Sequence, residues 1–218
     1  VNIDETTKQQ KIQPIDNYNS SPLQTIKVKT NLYDLTVSNE NGGSLMSYSL
    51  YSFSDHSDKL VNLIDELNSN NLLLSFISVD GDKVSLNHNW SPLSSSRTIS
   101  VDKGQKSLTY STRYQGQTIE KKLTFYPDSY NIDIDVLFNQ PSKFISRNQY
   151  NLGWSGGLPP TEKNISNDYQ FFEGFASLGG EHMGAKPKKG KLTEESQKGS
   201  TLWSAIKTKY FISAIVPN

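Results

Sequence analysis

The chain has no cysteine in its 218 residues, which excludes a disulfide framework, a thiolate nucleophile and a zinc–thiolate centre. It has no excess of charge either, because 22 basic side chains balance 22 acidic ones. That balance removes the positive field on which nucleic-acid binding depends, so no nucleic-acid partner is expected. No apolar run approaches the roughly 20 residues that span a bilayer, and the opening VNIDETTKQQ lacks the charged-then-apolar layout of a signal peptide. Because it opens at Val1 rather than Met, the sequence reads as a processed or excised piece. Hydrophobic residues are sparse at 34%, but 11% aromatic content supplies enough large side chains to build a core with long polar loops around it. At this length one all-β domain is expected.

Catalytic chemistry is equally thin. The three histidines, His56, His88 and His182, sit in polar stretches with no HxH or HxxxH spacing, and each reads as a surface residue. Glu162 in PPTEKN and the pair Glu181–His182 in GGEHMG could act as acid and base only inside a closed pocket, and they read as solvated loop charge. Asp133 and Asp135 alternate with large apolar residues, which fits an exposed sheet face rather than a carboxylate pair. GWSGGLPP carries neither a GxSxG elbow nor a phosphate-cradling glycine spacing. No catalytic residue, metal site or cofactor is expected.

What is present is alternation. Residues 1–22 are polar, carry Pro14 and Pro22 and show no apolar period, so they read as a linker. From Leu23 short strand-like runs begin: TIKVKT, then LYDLTV with Tyr33, Leu35 and Val37 on one face, the turn NENGG, and SLMSYSLYSF with Met46, Tyr48 and Leu50 alternating. A hairpin is predicted between Ser107 and Tyr126, turning at Gly116, with Leu108, Tyr110, Thr112 and Tyr114 facing Ile119, Leu123 and Phe125. Ile132, Ile134, Val136 and Phe138 mark a further strand facing inward. DKLVNLIDELNSNN fits a helix face as well as a strand and loop. From Asn139 to Ser200 the regular pattern gives way to loop chemistry, and the closing YFISAIVPN, apolar on both faces, predicts a buried final strand ended by Pro217.

Two features of the loop-rich region bear on binding. The basic run KPKKGK (186–191) is partly offset by the acidic EES after it and reads as a solvated loop. In DYQFFEGF the residues Tyr169, Phe171, Phe172 and Phe175 cannot all face one side of one strand. Tyr169, Phe171 and Phe172, together with Trp154, form the candidate partner-binding set.

The order of motifs resembles the large periplasmic domain of the bacterial YidC membrane protein insertase. It runs from VKTNLYDLTVSNENGGSLMSYSL (28–50), through LTYSTRYQGQTIEKKLTFYPDSYNIDIDVLFN (108–139), to LWSAIKTKYFISAIVPN (202–218). The resemblance implies an all-β supersandwich of two packed antiparallel sheets with few short helices, related to the galactose-mutarotase fold, over residues 23–218. It implies that 1–22 leads from a first transmembrane helix and that Asn218 precedes the membrane-embedded part. It further implies a noncatalytic role at the periplasmic face of the inner membrane, assisting insertion and folding. The implied partners are the SecD/SecF side of the Sec translocon, nascent membrane proteins and the rest of the insertase, with the Sec contact at about 143–197. A carbohydrate-binding or aldose-epimerase-like module of the same fold is the alternative, motivated by Trp90, Trp154 and Glu162.

Overall fold

A computed structural model describes residues 21–65, 70–188 and 200–218. The strands are β1 Thr25–Lys29, β2 Tyr33–Ser38, β3 Leu45–Ser54, β4 Leu60–Asn62, β5 Asn70–Ser78, β6 Lys83–Ser85, β7 Ser91–Pro92, β8 Thr98–Ser100, β9 Lys106–Tyr114 and β10 Gln117–Phe125. They continue with β11 Ile132–Phe138, β12 Ile145–Ser155, β13 Glu173–Leu178, β14 Glu181–Ala185, β15 Thr201–Lys207 and β16 Ile212–Ile215; the single α-helix among the described residues, α1, is Ile165–Asp168. The protein is all-β, as its alternation predicts. The strands form several small sheets, antiparallel except where β1 runs parallel to β8. Contacts divide the described residues into two compact units, one from 21–46 with 70–155, the other from 47–65 with 156–188 and 200–218.

In the first unit, β1 pairs with β2, the sheet β11-β10-β9-β7 carries the predicted hairpin, and β12-β5-β6 forms a third group. Period-two alternation drives these strands. Tyr33, Leu35 and Val37 are buried together, and so are Leu108, Tyr110, Ile119, Leu123 and Phe125. Gln115 and Gly116 adopt φ of 47° and 75°, the left-handed pair that a two-residue hairpin requires. Edge strand β11 is half-buried through Ile132, Ile134, Val136 and Phe138, while Asp133 and Asp135 face outward, Asp135 bonding Lys122 at 3.0 Å. Phe76, Tyr114, Phe138 and Phe144 add an aromatic cluster with ring centroids 5.3–6.3 Å apart.

Lys121 breaks the expected pattern. It occupies the inward position between Ile119 and Leu123 on the central strand β10 and is fully buried, although charged side chains are almost never buried without partners. Its Nζ donates to the carbonyl oxygens of Asn41 and Leu72, each at 2.5 Å, and lies 5.2 Å from the Trp90 ring centroid. Burial pushes the amine down to about 7 from its ordinary 10.5. Both acceptor residues hold left-handed backbones, Asn41 at φ 53° and Leu72 at φ 55°.

The NENGG turn wraps this amine. A Cβ on Gly42 (φ 72°) would lie 2.6 Å from the Trp90 ring, and one on Gly43 (φ 114°) would meet Leu123 at 2.9 Å and Tyr110 at 3.0 Å. Asn39 donates to the Trp90 carbonyl at 2.9 Å, Asn41 donates to Ser44 Oγ and Asn70 Oδ1, and Asn71 exchanges two bonds with the Leu45 backbone. What reads in sequence as a polar surface turn is therefore a buried polar network. Ser21 and Pro22, read as the end of the linker, already bond to it: the Ser21 carbonyl accepts from Asn89 and the Pro22 carbonyl from Asn39, each at 3.0 Å. Residues 1–20 of the linker lie outside the described residues.

In the second unit β3 pairs with β4, and β14-β13-β15-β16 form a four-stranded sheet. Tyr48, Leu50, Val61, Ile64, Leu158 and Ala205 are buried here. Met46, expected to share a face with Tyr48 and Leu50, is exposed, because Leu45 takes the inward position instead and the burial pattern shifts phase along β3. The helix-or-strand ambiguity resolves over its described part as the strand β4, followed by irregular backbone at 63–65.

Three further expectations are corrected. The region 139–200 is not mainly loop: β12, β13 and β14 lie in it. In β12, register shifts and positive φ at Arg147 (56°) and Asn148 (53°) erase the period-two signal, while β13 and β14 form a hairpin about Gly179–Gly180. Among the described residues β16 is an exposed edge strand rather than a buried one, with Ile212 58% exposed and Val216, just after the strand, 62%. Its apolar composition does not reveal which sheet position it takes. His88 is half-buried rather than a surface residue. It bonds Thr112 Oγ1 at 2.7 Å and stacks on Trp90 at 6.3 Å, and burial lowers its pKa.

The buried amine and its turn generate three predictions. Lys121→Met leaves two buried carbonyls without their donor and should cost about 1–3 kcal/mol at pH 9 by urea unfolding. Between pH 7 and about 10 the unfolded chain holds the Lys121 proton that the folded chain releases. Wild-type stability should therefore rise with pH through that window relative to Lys121→Met. Gly42→Ala should cost about 2–4 kcal/mol, whereas Gly116→Ala, which has the same backbone sign and open space around it, should cost only about 1–2 kcal/mol.

Candidate partner surface

The four residues of the expected partner-binding set are divided between the two units. Trp154 is half-buried on β12 of the first unit, in register with Asn71 of β5. Tyr169, Phe171 and Phe172 belong to the second unit and lie just after α1.

The local sequence explains their exposure. Asn164 caps α1, its side-chain oxygen accepting from the Asn167 N–H at 3.2 Å, and a 3₁₀ turn over Tyr169–Phe171 follows. Asp168, fully buried at the junction, accepts from the Thr161 N–H through Oδ2 at 3.1 Å. Anchored at this point, the tight turn distributes its side chains around its axis. Tyr169 is 53% and Phe171 45% exposed, while Phe172 is half-buried and meets Tyr169 edge-on at 4.9 Å.

The turn between β15 and β16 completes the surface. Thr208 N–H donates to the Phe211 carbonyl at 2.8 Å, and Thr208 Oγ1 accepts from the Phe211 N–H at 3.2 Å, presenting Lys209 and Tyr210 at the tip. Lys209 Nζ lies 4.7 Å from the Tyr210 ring centroid and 5.9 Å from that of Phe171. A hydrogen bond with Tyr210, with the charges of Glu162 and Asp168 adding to it, raises the Lys209 pKa and keeps the amine charged. Behind the tip, Phe211 packs edge-on against Phe53 at 5.6 Å. Lys209 and Tyr210 are the members that sequence reasoning missed; the KYF triplet in the closing motif was their signal.

The alternative chemistry finds less support. Trp90, one of the residues that motivated sugar binding, is 1% exposed and cannot stack on a ligand. Trp154 and Glu162 fall in different units. Among the described residues no group of three His, Cys, Asp or Glu side chains could hold a metal ion. The shallow hollow at residues 126–133 engages its own carboxylates, Asp133 taking the Tyr126 hydroxyl and Asp128 the Asn31 amide at 2.8 Å. The run 186–191 is described only as far as Lys188.

Comparison with known proteins gives the family. The family model described as the YidC periplasmic domain matches residues 25–218. The chain belongs to the YidC periplasmic domain family. It is 31% identical over 194 residues to a membrane protein insertase YidC of Chlorobium luteolum, covering 87% of this chain and 33% of the relative. It is 30% identical over 197 residues to the YidC of Chlorobaculum tepidum (88% and 33%) and 31% identical over 193 residues to that of Prosthecochloris aestuarii (86% and 33%). The chain thus spans about a third of the length of the curated relatives it matches. No solved structure matches it. The family is that of an insertase, and no enzyme family is indicated. No helix among the described residues is long and apolar enough to cross a membrane.

The surface should be separable from the fold. Phe171→Ala removes an exposed ring and should change stability by no more than about 0.5 kcal/mol in urea unfolding. Asp168→Ala, which strips a buried acceptor from the Thr161 amide, should cost about 1–3 kcal/mol and speed hydrogen exchange at Thr161.

Proposed function

We propose that this chain is the noncatalytic periplasmic domain, at 23–218, of a YidC-type insertase at the periplasmic face of a bacterial inner membrane. It assists insertion and folding of membrane proteins there by docking partner proteins, with the SecD/SecF side of the Sec translocon as the first of them. The observation that carries the docking role is the pair of exposed rings, Phe171 and Tyr210, about Lys209, with the exposed Tyr169 two residues before Phe171. Exposed tyrosines and other aromatic rings are among the residue types enriched in the buried core of protein interfaces. Tyr169 and Phe171 fall within the segment, about 143–197, to which the family resemblance assigns the Sec contact. Residues 1–22 would lead from a preceding membrane helix, and the insertion chemistry itself would reside in membrane segments outside this chain.

Titrating the chain with the detergent-solubilised SecD–SecF complex by biolayer interferometry tests the reading. Tyr169→Ala with Phe171→Ala should weaken binding at least roughly tenfold. Unchanged affinity in this double variant, once its fold is verified by circular dichroism, would remove the aromatic surface from the interface.

A further inference from the structure

The sequence contains one Asn–Gly pair, Asn41–Gly42, and both residues are buried in the turn that wraps Lys121. Asparagine is a thermolabile residue, and most so before glycine, whose bare α-carbon leaves its backbone nitrogen free to approach the asparagine side chain. In that reaction the Gly42 nitrogen gives its proton to water and attacks Asn41 Cγ. The Cγ–Nδ2 bond breaks, and Nδ2 takes up a proton and leaves as ammonia. Water then opens the resulting succinimide at either carbonyl, giving aspartate or isoaspartate, so water is the only co-reactant consumed.

The fold restrains both reacting groups. The nucleophile is engaged, because Gly42 N–H donates to the Asn39 carbonyl at 3.2 Å. The electrophile is fixed, because Asn41 Nδ2 donates to Ser44 Oγ at 2.9 Å and to Asn70 Oδ1 at 2.7 Å. Asn41 N–H donates to the His88 carbonyl at 3.0 Å, its own carbonyl accepts from Lys121, and the residue is only 7% exposed, which keeps water and base away. We infer that Asn41 is a spontaneous deamidation site that the closed turn keeps unreactive and that local opening of the turn exposes. The isoaspartate product does not fit back into the closed turn. It adds a methylene to the main chain ahead of Gly42 and so displaces the carbonyl that holds Lys121, in a turn where Gly42 already lies against Trp90. The modification therefore falls on the element around which the first unit is built, and it stands apart from any docking role of the second.

The test follows Asn41 by peptide mapping with mass spectrometry during incubation at mildly alkaline pH. It compares a synthetic peptide of residues 38–45, the chain unfolded in urea and the folded chain. Asn41 should be the fastest-reacting asparagine of the unfolded chain, and the folded chain should react at least roughly a hundredfold more slowly than the peptide. That slowing should match, within about tenfold, the protection of the Gly42 amide against hydrogen exchange, because the same N–H must come free. Ser44→Ala with Asn70→Ala removes both partners of the side chain and should speed the folded reaction roughly fivefold or more. Asn70→Ala alone, at an exposed residue, gives the same reading if the pair does not fold. Gly116→Ala weakens the hairpin rather than the turn and should leave the rate unchanged. The inference is overturned by a folded chain that reacts as fast as the peptide, or by an unfolded chain that favours another asparagine. It is equally overturned if the side-chain variants react no faster than wild type, if Gly116→Ala accelerates the reaction as much as they do, or if the isoaspartate-bearing chain keeps full exchange protection at Gly42 and Gly43.

Discussion

The first unit depends on one buried amine. Lys121 occupies a position that β alternation assigns to a core residue, and its head group reaches water nowhere. A buried amine without partners would cost several kcal/mol, so the surrounding backbone has to supply acceptors. It does so at Asn41 and Leu72, two residues bent into the left-handed region, while the Trp90 ring covers the third side. Gly42 and Gly43 follow from this arrangement, because the turn that delivers the Asn41 carbonyl passes too close to Trp90, Tyr110 and Leu123 for any side chain. The side chains of Asn39, Asn41 and Asn71 then tie this region together, bonding the Trp90 carbonyl, the Asn70 side chain and the Leu45 backbone.

The second unit contrasts with this economy. Its sheet is small, with β16 at an edge among the described residues, and Phe171 and Tyr210 stand 45% and 57% exposed beside a charged lysine. Here polar anchoring serves display: the buried Asp168 fixes the turn that carries Tyr169 and Phe171, and Thr208 closes the turn that carries Lys209 and Tyr210. Exposed apolar surface of this kind lowers solubility unless something covers it, which is why it marks interaction sites. Membership of the YidC periplasmic domain family gives that surface a setting, since the relatives are named as insertases of membrane proteins.

Much of the fold was legible in the sequence wherever alternation was strict. Tyr33, Leu35 and Val37 announced β2, and the hairpin of β9 and β10 was written in Leu108, Tyr110, Ile119, Leu123 and Phe125 with Gly116 at its turn. Lys121 was passed over because alternation identifies a face by its apolar members and cannot show that a lysine shares it. β12 was hidden by its bulges, and His88 by the polar neighbours that mask its packing on Trp90. β16 was recognised as a strand and misplaced, because strand order is a tertiary property. Of the candidate surface, DYQFFEGF was singled out because its rings cannot share one face. Which rings emerge was set by the register of a 3₁₀ turn and by Asp168, and neither is encoded as a pattern. The contribution of Lys209 and Tyr210 required the two turns to meet in space.

The central claim is that Lys121 is a dehydrated amine held by two carbonyls and that the turn 39–43 is built around it. The most direct measurement is a pH titration of the Lys121 side-chain Cε–Hε resonances by NMR in selectively labelled protein. The account predicts that Lys121 titrates near neutral pH, at about 7, and that the Gly42 and Gly43 amide signals shift with it. An ordinary titration near 10.5 with those amides unmoved would show a hydrated lysine and contradict it.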